Sequence, residues 1–129
     1  MSLFPLVTDA EATGKTREVF DDIKRTKEID FVPDIWRALA NNPDHLEQTW
    51  QKLKAIMRPG KLDLLTKEII ALSVSITNGC EYCINSHSAA VLRLGLDREA
   101  LGEIVAVTEL FNGMNRVAEA YQVEPDIRP

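Results

Sequence analysis

The sequence predicts an all-α fold, a compact domain of about six helices. Apolar residues recur three and four positions apart along most of the chain, and no segment shows the alternation of a strand. The length of 129 residues fits one domain of ordinary size. The composition, 45% hydrophobic and 27% charged, is that of a globular protein with its own core. We therefore predict a single domain over residues 1–129.

Three predicted helices occupy the first half of the chain. The first spans about residues 12–27, and its apolar stripe is formed by Val19, Phe20 and Ile23. Pro33 opens a short second helix, because proline fits the first turn. Asn42 is a suitable N-cap for a third helix over about residues 43–57, with Pro43 at its first position.

The fourth predicted helix, about residues 62–77, is apolar nearly all round. One apolar stripe runs along this helix, and two more apolar residues, Ile70 and Val74, lie on its other sides. A helix of this kind is buried, either in the core or at a contact between subunits. Asn78-Gly79 is a stop signal, since glycine adopts the left-handed conformation of a helix C-terminus.

Two further helices complete the prediction. The fifth spans about residues 80–94, is expected to be buried, and ends at Gly95. Asp97 is a suitable N-cap for the sixth, which Asn112-Gly113 is expected to bend or interrupt. The tail from Glu124 contains two prolines and is expected to be irregular.

Charge and hydropathy exclude some classes of function. Fifteen basic and 20 acidic residues give a net charge of −5, which argues against binding to nucleic acid. No segment approaches the roughly 18 apolar residues of a membrane span, and the N-terminus does not resemble a signal peptide. We expect a cytoplasmic protein, a compartment where structural disulfides are rare. Its two cysteines therefore call for a chemical role.

Cys80 and Cys83 stand at the start of the fifth predicted helix. If Cys80 lies at the N-cap, Cys83 falls in the first turn, where free N–H groups and the helix dipole favour a thiolate. The two sulfurs are then close enough to form a disulfide. His87 follows Cys83 by four residues and shares its helix face, so its imidazole could take the thiol proton. The alternative for His87 is a core histidine bound to a backbone carbonyl.

Glu68 lies on an apolar face of the fourth helix, where an unpaired carboxylate is costly. It could accept a proton, or it could form a structural salt bridge to a base such as Arg93 or Arg116. The spacing does not decide between these roles, and it does not show whether Glu68 lies level with His87.

A zinc site or a thioredoxin fold would account for the two cysteines less well. A structural zinc site needs four ligands, and His45 has no zinc-type spacing to Cys80 or Cys83, so we expect no metal and no cofactor. A thioredoxin fold needs strands between its helices. A chemically inert surface pair is a further alternative.

The motif formed by Glu68, Cys80, Cys83 and His87 resembles the signature of the alkylhydroperoxidase D-like (AhpD-like) branch of the carboxymuconolactone decarboxylase superfamily. The neighbouring sequence is also similar, over residues 71–75, 77–83 and 94–96. The strongest match covers about residues 62–120. The decarboxylase branch generally lacks the cysteine pair, so lactone decarboxylation is not predicted.

The resemblance implies a helical homo-oligomer, often a trimer or hexamer, that reduces peroxides. Cys83 would attack the peroxide and become a sulfenic acid, and Cys80 would condense with it to a disulfide. An external dithiol of lipoyl or thioredoxin type would reduce that disulfide. Glu68 and His87 would relay the proton.

Tyr82 is a departure from the best-known members, which carry a histidine immediately before the second cysteine. A phenol forms hydrogen bonds but is a poor base at neutral pH, so Tyr82 is a candidate auxiliary residue. Two alternatives to a peroxidase follow. One is a dithiol–disulfide oxidoreductase or redox sensor with little peroxidase turnover, and the other is a non-catalytic helical oligomeric module.

Overall fold

The computed structural model describes residues 3–129, and within them it contains six α-helices and no strand. This confirms the predicted all-α fold. The helices are α1 (Gly14–Lys27), α2 (Asp34–Leu39), α3 (Pro43–Met57), α4 (Leu64–Asn78), α5 (Glu81–Arg93) and α6 (Arg98–Ala120). They fall into two compact units that divide between Arg58 and Pro59. The single domain over residues 1–129 stays a prediction.

The first unit is built from α1, α2 and α3 around an aromatic and aliphatic core. The predicted stripe of α1 is buried, and Phe20 and Ile23 are almost fully so. Trp36 of α2 meets Trp50 of α3 edge to face, with 5.2 Å between ring centroids, a favoured aromatic geometry. Asn42 caps α3 by accepting a hydrogen bond from the His45 amide, as its sequence position predicted.

The second unit is built on α4, against which both α5 and α6 pack. Leu72 of α4 and Val91 of α5 are fully buried between the helices. Asp97 caps α6 by accepting from the amide of Ala100 at 2.9 Å, in agreement with the prediction. No helix within residues 3–129 is long and apolar enough to cross a membrane.

One expectation for this unit was wrong, because the helix α6 runs through Asn112-Gly113 without an interruption. Within the described chain α4 is not covered on all sides, since Ile70 and Val74 are about half exposed. Of the two alternatives predicted for this helix, the core and a contact between subunits, the second stays a prediction. The helix α5 is partly buried, because α4 covers one of its sides, while Tyr82 on another side is exposed.

Candidate active site

A tight turn at Gly79 brings α4 and α5 together as a helical hairpin. Gly79 has φ +69°, the left-handed conformation in which a glycine ends a helix without strain. The amide of Cys80 donates to the carbonyl of Ser75 at 3.1 Å, and the amide of Gly79 donates to that of Ile76 at 3.2 Å. These two bonds close the end of α4 and fix the position of Cys80.

Ser75 has a role that the sequence did not indicate. Its side chain is buried, and its hydroxyl donates to the carbonyl of Ala71 at 2.6 Å. Its own carbonyl holds the Cys80 amide. The sequence could have indicated this role only by the position of Ser75, a small residue one turn before Gly79 on the side of α4 that carries Leu72.

Cys80 and Cys83 form a disulfide at the N-terminus of α5, with 5.2 Å between their Cα atoms. Cys80 is the N-cap, and its Sγ accepts a hydrogen bond from the amide of Cys83 at 3.2 Å. The sequence had suggested that free amides of the first turn would favour a thiolate at Cys83. In the structure, the amide of Cys83 points to the sulfur of Cys80.

Glu68 and His87 form a hydrogen-bonded pair between α4 and α5. The Oε2 atom of Glu68 lies 2.6 Å from Nδ1 of His87. The side chains are 14% and 29% exposed, respectively, so solvent reaches the imidazole more than the carboxylate. This pair meets the requirement that a carboxylate on an apolar face be paired. The partner is a histidine of the neighbouring helix rather than Arg93 or Arg116.

The pairing defines which nitrogen of His87 can act as a base. A carboxylate at Nδ1 favours the tautomer that carries its proton there, which leaves the lone pair on Nε2. His87 follows Cys83 by one helical turn, so both side chains project from one face of α5. The hairpin therefore brings a carboxylate, an imidazole and a dithiol together within two neighbouring helices.

Tyr82 and an apolar groove are further candidate features, and neither is part of the Glu68–His87 pair. Tyr82 is 45% exposed in the first turn of α5. An apolar groove of about 470 Å³ lies between α4 and α6, lined in part by Thr77 and Phe111. Thr77 lies half a turn around α4 from Glu68, so the groove is on the opposite side of that helix. Residues 3–129 hold no cluster of three or more side chains suited to a metal ion.

Comparison with known proteins shows a family and a structural relative. The model of the carboxymuconolactone decarboxylase family matches residues 43–123. The crystal structure of the alkylhydroperoxidase AhpD core from Rhodospirillum rubrum superposes with a TM-score of 0.93 at 40% identity. The match covers 98% of this chain and 95% of that one, so the likeness extends over both units.

Longer curated proteins match over part of their length. An (R)-2-haloacid dehalogenase from Pseudomonas putida is 29% identical over 114 aligned positions, and the match covers 84% of this chain and 36% of the relative. An alkyl hydroperoxide reductase AhpD from Corynebacterium kroppenstedtii is 35% identical over 69 residues, which are 54% of this chain and 38% of that protein. The chain thus spans little more than a third of the length of these relatives. Taken with the structural likeness, the family match shows that the chain belongs to the carboxymuconolactone decarboxylase family, in its alkylhydroperoxidase D-like branch.

Proposed function

We propose that the protein is a thiol-dependent peroxidase that cycles between a Cys80–Cys83 dithiol and the corresponding disulfide. The observation that carries this proposal is the disulfide at the start of α5, with the Glu68–His87 pair in the same hairpin. Peroxide reduction needs a thiol that can lose its proton, a base to receive that proton and a second thiol to resolve the product. The hairpin supplies all three groups.

The oxidative half of the cycle begins at Cys83. Its sulfur attacks one peroxide oxygen, the O–O bond breaks, and the sulfur becomes a sulfenic acid while the other oxygen leaves as an alkoxide. The thiol proton passes to Nε2 of His87, directly or through water, and then to the alkoxide. Glu68 stabilises the imidazolium by accepting the Nδ1 hydrogen bond, so a negative carboxylate faces the charge that develops.

The reductive half requires an external dithiol, because opening the disulfide consumes two electrons. A lipoyl or thioredoxin-type dithiol supplies both, and it is itself oxidised to a disulfide. The proposed partners are therefore a peroxide and such a dithiol, with no resident cofactor. The cytoplasm is the compartment in which we expect this cycle, since it keeps dithiol reductants reduced.

A dithiol–disulfide oxidoreductase with little peroxidase turnover is the second candidate, and Tyr82 is the observation that favours it. This exposed side chain stands where the best-known relatives carry a histidine. A phenol does not replace imidazole as a base at neutral pH. The same disulfide would then exchange with protein or small-molecule thiols, and peroxide would react slowly.

Single-cysteine variants test the peroxidase proposal. With an organic hydroperoxide and dihydrolipoamide as reductant, we expect Cys83→Ser to lose turnover by a factor of about 100 or more, because the attacking sulfur is gone. Without dihydrolipoamide, which would itself reduce the product, Cys80→Ser should consume one equivalent of hydroperoxide and then stop, with a sulfenic acid at Cys83 that dimedone labels. Mass spectrometry of the labelled peptide measures this.

The control is Ser86→Ala, a change at an exposed position of the same helix, which should turn over like the parent protein. Full turnover by Cys83→Ser would show that the roles are assigned wrongly. A parent protein that forms the disulfide but does not accelerate peroxide loss would favour the oxidoreductase.

A further inference from the structure

We infer that Cys80, rather than Cys83, holds the thiolate of the reduced pair, and that the external dithiol therefore attacks Cys83 with Cys80 as the leaving group. The inference rests on the proposed redox cycle and assigns a direction to its reductive half. It names the sulfur at which the reducing partner must bond. The two cysteines would then have separate tasks, set by their positions on α5.

The hydrogen bond at the N-cap of α5 favours a thiolate at Cys80. The amide of Cys83 donates to Sγ of Cys80 at 3.2 Å, as the amide at this position does to an N-cap side chain. A thiolate accepts such a bond more strongly than a thiol or a disulfide sulfur, because it carries a full negative charge. The donor is a backbone group and is therefore present in either redox state of the sulfurs.

The position of Cys80 relative to the helix dipole also favours a thiolate at this residue. Cys80 precedes the first residue of α5, so its sulfur lies where the unpaired amides of the helix end give a partial positive charge. The exposed carboxylate of Glu81 at the next position opposes the thiolate, but solvent screens it. Across the hairpin, the Glu68 carboxylate is already bound to His87.

The surroundings of Cys83, in contrast, favour the protonated thiol. It lies in the first turn of α5, and its own amide serves Cys80. His87 one turn further on is the group placed to take its proton. Cys83 thus rests as a thiol and is deprotonated when it attacks peroxide, whereas Cys80 is a standing thiolate.

With these separate tasks for Cys80 and Cys83, atoms and electrons balance both when the disulfide forms and when it is reduced. When Cys83 has become a sulfenic acid, the Cys80 thiolate attacks its sulfur, the S–S bond forms and hydroxide leaves. In reduction, a thiolate of the external dithiol attacks Cys83, the S–S bond breaks and Cys80 leaves as a thiolate. The second thiol of the reductant then displaces Cys83 from the mixed disulfide, which completes a two-electron reduction.

A trapping experiment tests the direction of attack. The oxidised protein is mixed with the monothiol 2-mercaptoethanol, which forms the mixed disulfide but cannot resolve it internally, and is quenched within milliseconds by excess N-ethylmaleimide. Tandem mass spectrometry then locates the two adducts. We expect 2-mercaptoethanol on Cys83 and maleimide on Cys80 in at least about a tenfold excess over the reverse pattern, because the better-stabilised thiolate leaves faster. The reverse pattern, or an equal mixture, would overturn the inference.

A second measurement determines the pKa of each thiol separately, in the absence of peroxide. The pH dependence of alkylation by iodoacetamide gives the pKa of Cys80 in Cys83→Ser and that of Cys83 in Cys80→Ser. We expect the lower pKa for Cys80, below the value of about 8.5 for a free cysteine. A lower value for Cys83 would contradict the assignment. A protein that shows the trapping pattern but ignores peroxide would refute the peroxidase and leave this inference standing, whereas failure to form the disulfide would refute both.

Discussion

Glu68 is the residue of the site whose role depends most on its surroundings. Its carboxylate lies on the side of α4 that faces α5 and is bound to Nδ1 of His87. A carboxylate there that served only the fold could be replaced by a neutral group that also accepts a hydrogen bond. A carboxylate that serves the reaction could not, because its charge stabilises the imidazolium as the thiol loses its proton.

Glu68→Gln separates these two roles. The amide oxygen of glutamine can still accept from Nδ1, so we expect the thermal midpoint to stay within a few degrees. The single-turnover rate of peroxide reduction should fall by about 10- to 100-fold, because the negative charge is lost. Stopped-flow measurement of disulfide formation after mixing with hydroperoxide gives this rate.

Glu103→Gln, a change at an exposed position of α6, is the matched control and should leave the rate unchanged. A Glu68→Gln protein that no longer folds would instead show that Glu68 is a structural residue.

The sequence singled out Glu68, Cys80, Cys83 and His87 as candidates, but it did not show how Glu68 and His87 meet. Spacing along α5 relates Cys83 to His87 because both lie on one helix. The contact between Glu68 and His87 joins two helices, and its register depends on the turn at Gly79. The sequence also did not show that the amide of Cys83 donates to the sulfur of Cys80, because the geometry of the N-cap decides which sulfur accepts this hydrogen bond.

At the scale of the helices, Asp22 shows how a surface acid can join two elements. It lies outside the predicted apolar stripe of α1. In the structure it accepts hydrogen bonds from Trp50 Nε1 at 2.7 Å and from Lys54 Nζ at 2.5 Å, both on α3. Bonds from Lys54 and Trp50 lower the pKa of the carboxyl to about 2. A helical pattern on α1 alone could not show this, because the partners belong to another helix.

This shift predicts a pH dependence of stability. The pKa of Asp22 is lower in the folded state than its ordinary 3.8, so the ionised carboxylate stabilises the fold above about pH 4, and that stabilisation is lost as the pH falls toward 2. We expect Asp22→Asn to lower the free energy of unfolding by about 2 kcal/mol at pH 7 and much less at pH 2. Urea titration followed by tryptophan fluorescence measures this free energy. Both tryptophans of the chain, Trp36 and Trp50, lie in the same compact unit as Asp22.

The neighbouring acid Asp21 is exposed and provides the control. Asp21→Asn should change stability little at either pH. An equal loss at pH 7 and pH 2 for Asp22→Asn would mean that the carboxylate charge is not the source of the stabilisation.

The sixth helix illustrates where a local signal is overridden. A glycine inside a helix costs about 1 kcal/mol relative to alanine, and Asn112-Gly113 was therefore expected to bend or interrupt α6. The helix continues because it packs along α4, where the hydroxyl of Thr77 donates to Asn112 at 3.0 Å. A packed helix tolerates a glycine that an isolated one would not.

For the molecule as a whole, an apolar stripe on α6 remains uncovered. It consists of the residues at heptad positions a and d of the C-terminal part of the helix: Val107, Leu110, Met114, Val117 and Tyr121. They are 46–79% exposed. Thr108, which is buried in this unit, lies more than a quarter turn from all of them around the helix. In the chain as described over residues 3–129, these side chains are therefore available for contact with another chain.

We propose that a second copy of the chain covers this stripe. With the adjoining Phe111, the stripe exposes roughly 600 Å² per chain, so two copies packed on it would bury about 1,200 Å², the lower limit of a stable interface. Two parallel or antiparallel α6 helices could interlock their a and d side chains in this way. The trimer or hexamer implied by the family resemblance stays a prediction of the number of copies.

Charges on the stripe should therefore dissociate the protein. We expect the double change Leu110→Glu and Met114→Glu to lower the mass measured by sedimentation equilibrium to that of one chain, 14.5 kDa, because two copies would have to bury four unpaired carboxylates. Circular dichroism should show unchanged helix content, since both side chains are half exposed in the single chain. Glu109→Gln, on another side of the same helix, is the control and should keep the parent mass. A parent protein that is already monomeric, or a double variant with the parent's oligomeric mass, would rule out α6 as the contact between copies.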